Sequence, residues 1–255
     1  GQHIVANGFR LWHVEAGKGR PVVYVHGNTG SHRWFEKVMD IPGARTLALD
    51  LPNFGRSNPV GDGTSIDVYG DAIGAFIDAL ELERPVLVGH SLGGAAAISL
   101  AARRPRLLSG LVLVDSGAPS GLVTPEAHYP VLAAMATNRP LLTQALQGVA
   151  PTMADPDFLS RLVDDAMLMA APAWVGHARA LGSFSYAGRC QAFPGPTLVI
   201  WGRKDRIITE AMARETAAAF PGARLEILEE VGHSVIVEDP ERFRRLLADF
   251  LAGCA

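Results

Sequence analysis

Three residues that follow separate apolar runs carry the chemistry of this sequence. Ser91 lies in Gly89-His90-Ser91-Leu92-Gly93, between the apolar run Pro85–Val88 and the small-residue stretch Gly94–Ala102. A strand that turns into a helix at G-x-S-x-G puts its serine in a strained backbone conformation, which the glycines permit by removing Cβ atoms. The hydroxyl is then held at a sheet edge over a helix N-terminus. It is a poor nucleophile until a base takes its proton and a carboxylate holds that base in the right tautomer. Of eight histidines, His233 is the candidate base: Gly232 precedes it, and it follows the last apolar run on a loop. Asp205, in Trp201-Gly202-Arg203-Lys204-Asp205, follows the preceding run and is the candidate acid. Its rival is Asp115, which ends the run after the Ser91 helix.

Acyl transfer through a serine also needs two N–H donors for the tetrahedral oxyanion. Leu92, next to the nucleophile, is expected to supply one. The other is expected from His26-Gly27-Asn28-Thr29-Gly30, with Asn28 N–H as the candidate. His26 reads as a structural imidazole of that loop. The Asn28 side chain either braces the loop or meets a polar leaving group. Asp50–Ser57 reads as a sharp turn packed under the site.

The elements that position these groups alternate. Phe9–Glu15, Pro21–Val25, Thr46–Asp50, Pro85–Val88, Leu111–Asp115, Thr197–Trp201 and Leu225–Leu228 read as strands, most of them apolar enough to be covered on both faces. Ile66, Tyr69, Ile73, Phe76, Ile77 and Leu80 make one helical stripe. Phe243, Leu246, Leu247, Phe250 and Leu251 make another, after an Asp239-Pro240 start. Residues 117–196 contain no clear strand. Their helical patches are Tyr129–Met135, Phe158–Met169 and Trp174–Leu181. An insertion here would sit over the carboxyl ends of the strands, where open α/β sheets bind ligands. Met135, Met153, Met167, Met169, Trp174 and Phe184 either hold these helices together or line an apolar pocket. The expected division is a core of 1–116 and 197–255 with a helical cap of 117–196.

A chain of 255 residues suits one such domain, and 48% hydrophobic with 19% charged residues is ordinary for a globular protein. The net charge of −3 offers no basic footprint for nucleic acid. No apolar run approaches the roughly 20 residues a membrane span needs, and no signal-peptide pattern is read at Gly1–Val5, so a cytoplasmic location is expected. Cys190 and Cys254 read as free thiols.

The HG loop, the D-x-P-x-x-G-x-S turn, the GHSLGG elbow, the W-G-x-x-D loop and the G-H loop occur in the order of the α/β-hydrolase fold superfamily, which the chain resembles over essentially its full length. The resemblance implies a mostly parallel eight-stranded α/β sheet with helices on both faces and a helical cap after the sixth strand. It carries catalytic roles to Ser91, Asp205 and His233. A serine at the nucleophile position argues against haloalkane dehalogenases and soluble epoxide hydrolases, which use aspartate there. The expected activity is hydrolysis of a small carboxylic ester or lactone, without metal or organic cofactor. The alternatives are a carbon–carbon bond hydrolase of meta-cleavage type, a cofactor-free perhydrolase or haloperoxidase, and a hydrolase-fold ligand receptor. The oligomeric state is left open.

Overall fold

The first strand pair is set by a turn. β1 (Gln2–Ala6) and β2 (Phe9–Gly17) are joined by Asn7-Gly8, whose φ values of 46° and 85° are the positive pair that two-residue hairpins favour. β3 (Arg20–Val25), β4 (Ala44–Leu49), β5 (Val86–His90), β6 (Gly110–Val114), β7 (Thr197–Gly202) and β8 (Arg224–Leu228) follow. The computed structural model describes residues 1–60 and 65–254. Residues 61–64 and 255, which the expected core ranges include, lie outside the described residues. The strands form one eight-stranded sheet in the order β1-β2-β4-β3-β5-β6-β7-β8, antiparallel at β1–β2 and β2–β4 and parallel elsewhere. β1 is the strand that the apolar runs alone did not announce. Every residue of β5, β6 and β7 is buried, as their uninterrupted apolar character requires.

The order reverses at β3, with β4 on one side and β5 on the other. Val25 of β3 is in register with Gly89 of β5. In open α/β sheets, chains leaving two such strands diverge, and ligands bind at the carboxyl ends there. The loops that follow are residues 26–30 and the Ser91 turn. On the far side, Gly202 of β7 is in register with Leu228 of β8, so the loops carrying Asp205 and His233 also start side by side.

Helices fill the connections. α1 (Ile66–Ala79) starts at Ser65, whose Oγ accepts from Val68 N, and it buries Ile66, Tyr69, Ile73, Phe76 and Ile77 of the expected stripe, with Leu80 half-buried just past its end. α2 (Leu92–Arg103) is buried from Leu92 to Ala101. Between β6 and β7 come α3 (Tyr129–Met135), α4 (Arg139–Val149), α5 (Pro156–Ala166) and α6 (Ala173–Ser183). α3, α5 and α6 fall on the three expected patches; α4 was not anticipated. α7 (Glu210–Ala219), α8 (Val235–Glu238) and α9 (Pro240–Gly253) complete the chain. Asp239 caps α9 by accepting from Arg242 N, with Pro240 in the first turn.

The α3–α6 segment is fastened to loops at the carboxyl edge. Asp165 accepts from Ser31 Oγ at 2.7 Å and from Arg33 Nε at 2.8 Å, and Ala170 N donates to Asn53 O at 2.9 Å. Met169, Trp174 and Phe184 are buried in the main core, with Met135, Met153 and Met167 packed against it. No helix among the described residues is long and apolar enough to cross a membrane.

Candidate active site

Ser91 sits at the start of α2 with φ 53° and ψ −118°, a conformation that costs energy for a residue bearing a Cβ. The surroundings fix it. Ser91 N donates to Val114 O at 3.0 Å, and its carbonyl accepts from the N–H groups of Gly94, Ala95 and Gly117. A Cβ on Gly93 would collide with the carbonyls of Val25 and His26, and one on Gly89 with the carbonyl of Gly93. Close approach of these backbones is therefore what the two glycines provide. The Ser91 side chain is half-buried, and its Oγ has no hydrogen-bond partner among the described residues.

His233 is 2% exposed, and its Nδ1 lies 2.7 Å from Asp205 Oδ2. The Asp205 side chain is wholly shielded, and its Oδ1 accepts from Ile207 N at 2.7 Å and Ile208 N at 3.0 Å. A carboxylate only accepts, so the imidazole carries its hydrogen on Nδ1 and leaves Nε2 bare. Nε2 has no partner among the described residues. The two loops are joined through their backbones: Arg203 N donates to Leu228 O and Lys204 N to Val231 O. Glu238 fixes the His233 loop from α8, accepting from Gly232 N and Ser234 N at 2.9 Å each and from Thr152 Oγ1 at 2.6 Å.

His90 links the serine turn to this pair. Its Nε2 donates to His233 O at 2.8 Å, and the two rings are 5.1 Å apart. Burial, helped by the nearby His233, pushes the His90 imidazole down to about 3, so it is neutral and structural. Asp115, the rival acid, follows β6 and is 1% exposed with φ 44°. Its Oδ1 accepts from Gly202 N at 2.9 Å, and it makes no hydrogen bond to His233. The structure brings Asp205, and not Asp115, onto the histidine. Oxygens of Asp115 and Asp205 and a ring nitrogen of His233 all lie within 4.8 Å of one another. A cation shared by these three would compete with the 2.7 Å bond that already joins two of them.

The loop after β3 meets the serine turn. A Cβ on Gly27 would come within 2.9 Å of Ser91 Cβ. Asn28 N–H and Leu92 N–H donate to no protein acceptor among the described residues, Leu92 being the first residue of its helix. His26 is fully buried, with Nε2 accepting from Leu51 N at 3.0 Å, so it braces the loop. Asp50, beneath it, accepts from His32 N, His32 Nδ1 and Arg56 N. Burial alone would raise this carboxyl, but His32, then His26 and the Arg56 N–H, together outweigh it and hold it below the usual carboxylate range.

One participant was not singled out from sequence. His177, on α6, is fully buried, and its Nδ1 lies 2.7 Å from Asn28 Oδ1. Its Nε2 lies 2.6 Å from Tyr69 OH, which accepts from Asn53 Nδ2 at 3.1 Å. Its ring stacks on Phe54 at 4.5 Å. Burial lowers the imidazole to about 3, so it donates from Nδ1 and accepts at Nε2. The Asn28 side chain is thus held by the α3–α6 segment.

A sequence model of the alpha/beta hydrolase family matches residues 22–246. The chain belongs to the alpha/beta hydrolase family. This alpha/beta hydrolase is 32% identical over 273 aligned residues to the 2-hydroxymuconate semialdehyde hydrolase of Pseudomonas sp. strain CF600, covering 99% of the chain and 94% of that relative. Its fold is similar to an esterase from Exiguobacterium antarcticum, with a TM-score of 0.89 at 21% identity over 99% of both chains. It is also similar to the enol-lactonase from Burkholderia xenovorans LB400, with a TM-score of 0.88 at 22% identity over 98% of this chain and 100% of that one. At these identities the two structural likenesses concern the fold.

Proposed function

We propose that this alpha/beta hydrolase cleaves small uncharged carboxylic esters or lactones through an acyl-enzyme on Ser91. The observation that carries the reading is the shielded Asp205–His233 pair, with Nδ1 engaged at 2.7 Å and Nε2 bare at the edge where Ser91 is held. Ser91 Oγ attacks the carbonyl carbon while His233 Nε2 takes its proton. The oxyanion is met by Asn28 N–H and Leu92 N–H. Collapse expels the alcohol, which receives the proton from His233. Water then attacks the acyl-enzyme, giving a proton to His233, and the acid leaves as Ser91 regains its hydrogen. Asp205 stays ionised throughout and steadies the imidazolium. Residues 117–196 serve as a cap over this crevice, a reading supported by the bonds of Asp165, Ala170 and His177 to the loops beneath.

The name of the Pseudomonas relative favours a second reading, cleavage of a carbon–carbon bond in an anionic dienoate. Such a substrate calls for cations facing the serine. The arginines of 117–196 are exposed and occupied elsewhere: Arg139 pairs with Asp164, Arg161 with Glu36, and Arg179 and Arg189 lie over the rings of Tyr129 and Tyr186. A hydrolysis screen of esters, lactones and dienoates, with EDTA present and Ser91→Ala as control, tests the choice. Multiple turnovers on uncharged esters or lactones, lost in Ser91→Ala, are expected. Turnover of dienoates alone, or its loss on chelation, would overturn the reading, and a single turnover with lasting modification would make the protein a receptor.

A further inference from the structure

The hydrogen-bond inventory around Asp205 closes only with one more proton. Asp205 receives three donors: Ile207 N and Ile208 N on Oδ1, and His233 Nδ1 on Oδ2. Asp115 receives one, Gly202 N on Oδ1, and its shielded Oδ2 has no partner. Oxygens of the two carboxyls lie within 4.8 Å of each other. As two carboxylates they would set an acceptor without a donor against a like charge, away from water. Such a pair cannot hold two charges. The donor count decides which member keeps the charge, since three donors stabilise the Asp205 anion and one stabilises Asp115.

We propose that Asp115 is carried as the neutral carboxylic acid and donates its hydrogen to Asp205, so that the acid of the triad is a carboxyl pair sharing one negative charge. The backbone supports this arrangement. Asp115 adopts φ 44°, its N–H donates to Ile200 O at 2.9 Å, and β6 lies between β5 and β7, so the residue is flanked by the serine and acid loops. The ionisable groups around it are Asp205 from the β7 loop, His233 from the β8 loop and Glu238 from α8. Burial first, then the charges of Asp205 and Glu238, favour its protonated form. Asp115 acts through Asp205 and is a positioning residue. Its O–H draws off part of the charge that steadies the His233 imidazolium, and it fixes the carboxylate that orients the ring. The catalytic consequence rests on the triad proposed above; the protonation of Asp115 does not.

Asp115→Asn keeps a neutral donor, whereas Asp115→Leu removes it. At neutral pH, the infrared difference spectrum of wild type minus Asp115→Asn should contain the carbonyl stretch of a protonated carboxyl. Stability supplies a second readout. A carboxyl whose folded pKa is raised contributes stability that is complete below the ordinary aspartate value of about 3.9 and is lost as pH rises toward the raised value. Asparagine loses nothing over that range. The folding equilibrium of Asp115→Asn should therefore gain on wild type by about tenfold per pH unit above about 4 and by nothing below it. In kinetics, Asp115→Leu should lower kcat and move the acid limb of the pH profile upward, because Asp205 keeps its whole charge. Asp115→Asn should restore most of that loss and return the limb. A difference spectrum without the carboxyl band, together with a pH-independent stability difference, would overturn the proposal. A band that persists in Asp115→Asn and vanishes in Asp205→Asn would overturn it by placing the proton on Asp205. If Ser91→Ala left turnover intact, the functional reading would fail while the spectrum and the stability profile still judged Asp115.

Discussion

Asp205→Asn changes the charge of the acid and hardly its shape, so its cost follows from the hydrogen bonds around it. Oδ1 of Asp205 accepts from Ile207 N and Ile208 N at 2.7 and 3.0 Å, and Oδ2 meets His233 Nδ1 at 2.7 Å. An amide has one acceptor oxygen and one donor nitrogen. If the nitrogen faced the two backbone N–H groups, donors would oppose donors, so the oxygen stays there and the NH2 turns to His233. The ring must then accept at Nδ1 and carry its hydrogen on Nε2, which leaves no base for the Ser91 proton. The expected loss is about 10⁴-fold in kcat, or roughly 5–6 kcal/mol of barrier, as for the same change in a serine protease. Steady-state hydrolysis of a chromogenic ester measures it, with thermal unfolding by circular dichroism as the control for fold. A variant with native melting and kcat within about tenfold of wild type would refute this reasoning.

Two further outcomes follow from buried imidazoles. His177→Ala removes a donor to Asn28 and an acceptor for Tyr69 OH in a wholly buried place, so stability should fall by about 1–3 kcal/mol. Freeing Asn28 should also lower kcat more than it raises KM; unchanged melting and kinetics would contradict this. Burial holds His90 and His177 near 3, so neither can supply an acid limb around neutrality. His90→Gln should therefore leave the midpoint of any acid limb in the pH–activity profile in place. A midpoint that moves with His90 would reassign the base.

Much of this architecture is local, and local signals reach the sequence. The elbow glycines, the Ser65 and Asp239 caps and the apolar runs of β5, β6 and β7 each impose structure through neighbouring residues. β1 is announced only by its Asn7-Gly8 hairpin signal, because its side chains are mostly exposed. α4 leaves a weak trace despite the Asn138 cap and Pro140, since it buries only Leu142 and Leu146. The site beyond its three named residues depends on tertiary placement. His177 falls inside an ordinary amphipathic patch, and nothing in that patch says that Asn28 lies opposite it. Glu238 follows three buried aliphatic residues and reads as a helix surface, yet it holds the His233 loop. Asp115 was readable only as a competitor of Asp205. Their partnership comes from β6 lying between β5 and β7, a fact of strand order rather than of spacing.

Labelling with a serine-directed phosphonate puts the account to its plainest test. Peptide mapping should find one adduct, on Ser91, and ester turnover should disappear in step with its formation. Ser91→Ala, folded as judged by circular dichroism, should neither take the label nor turn over the ester. An adduct on another serine, or turnover that survives complete labelling of Ser91, would contradict the mechanism.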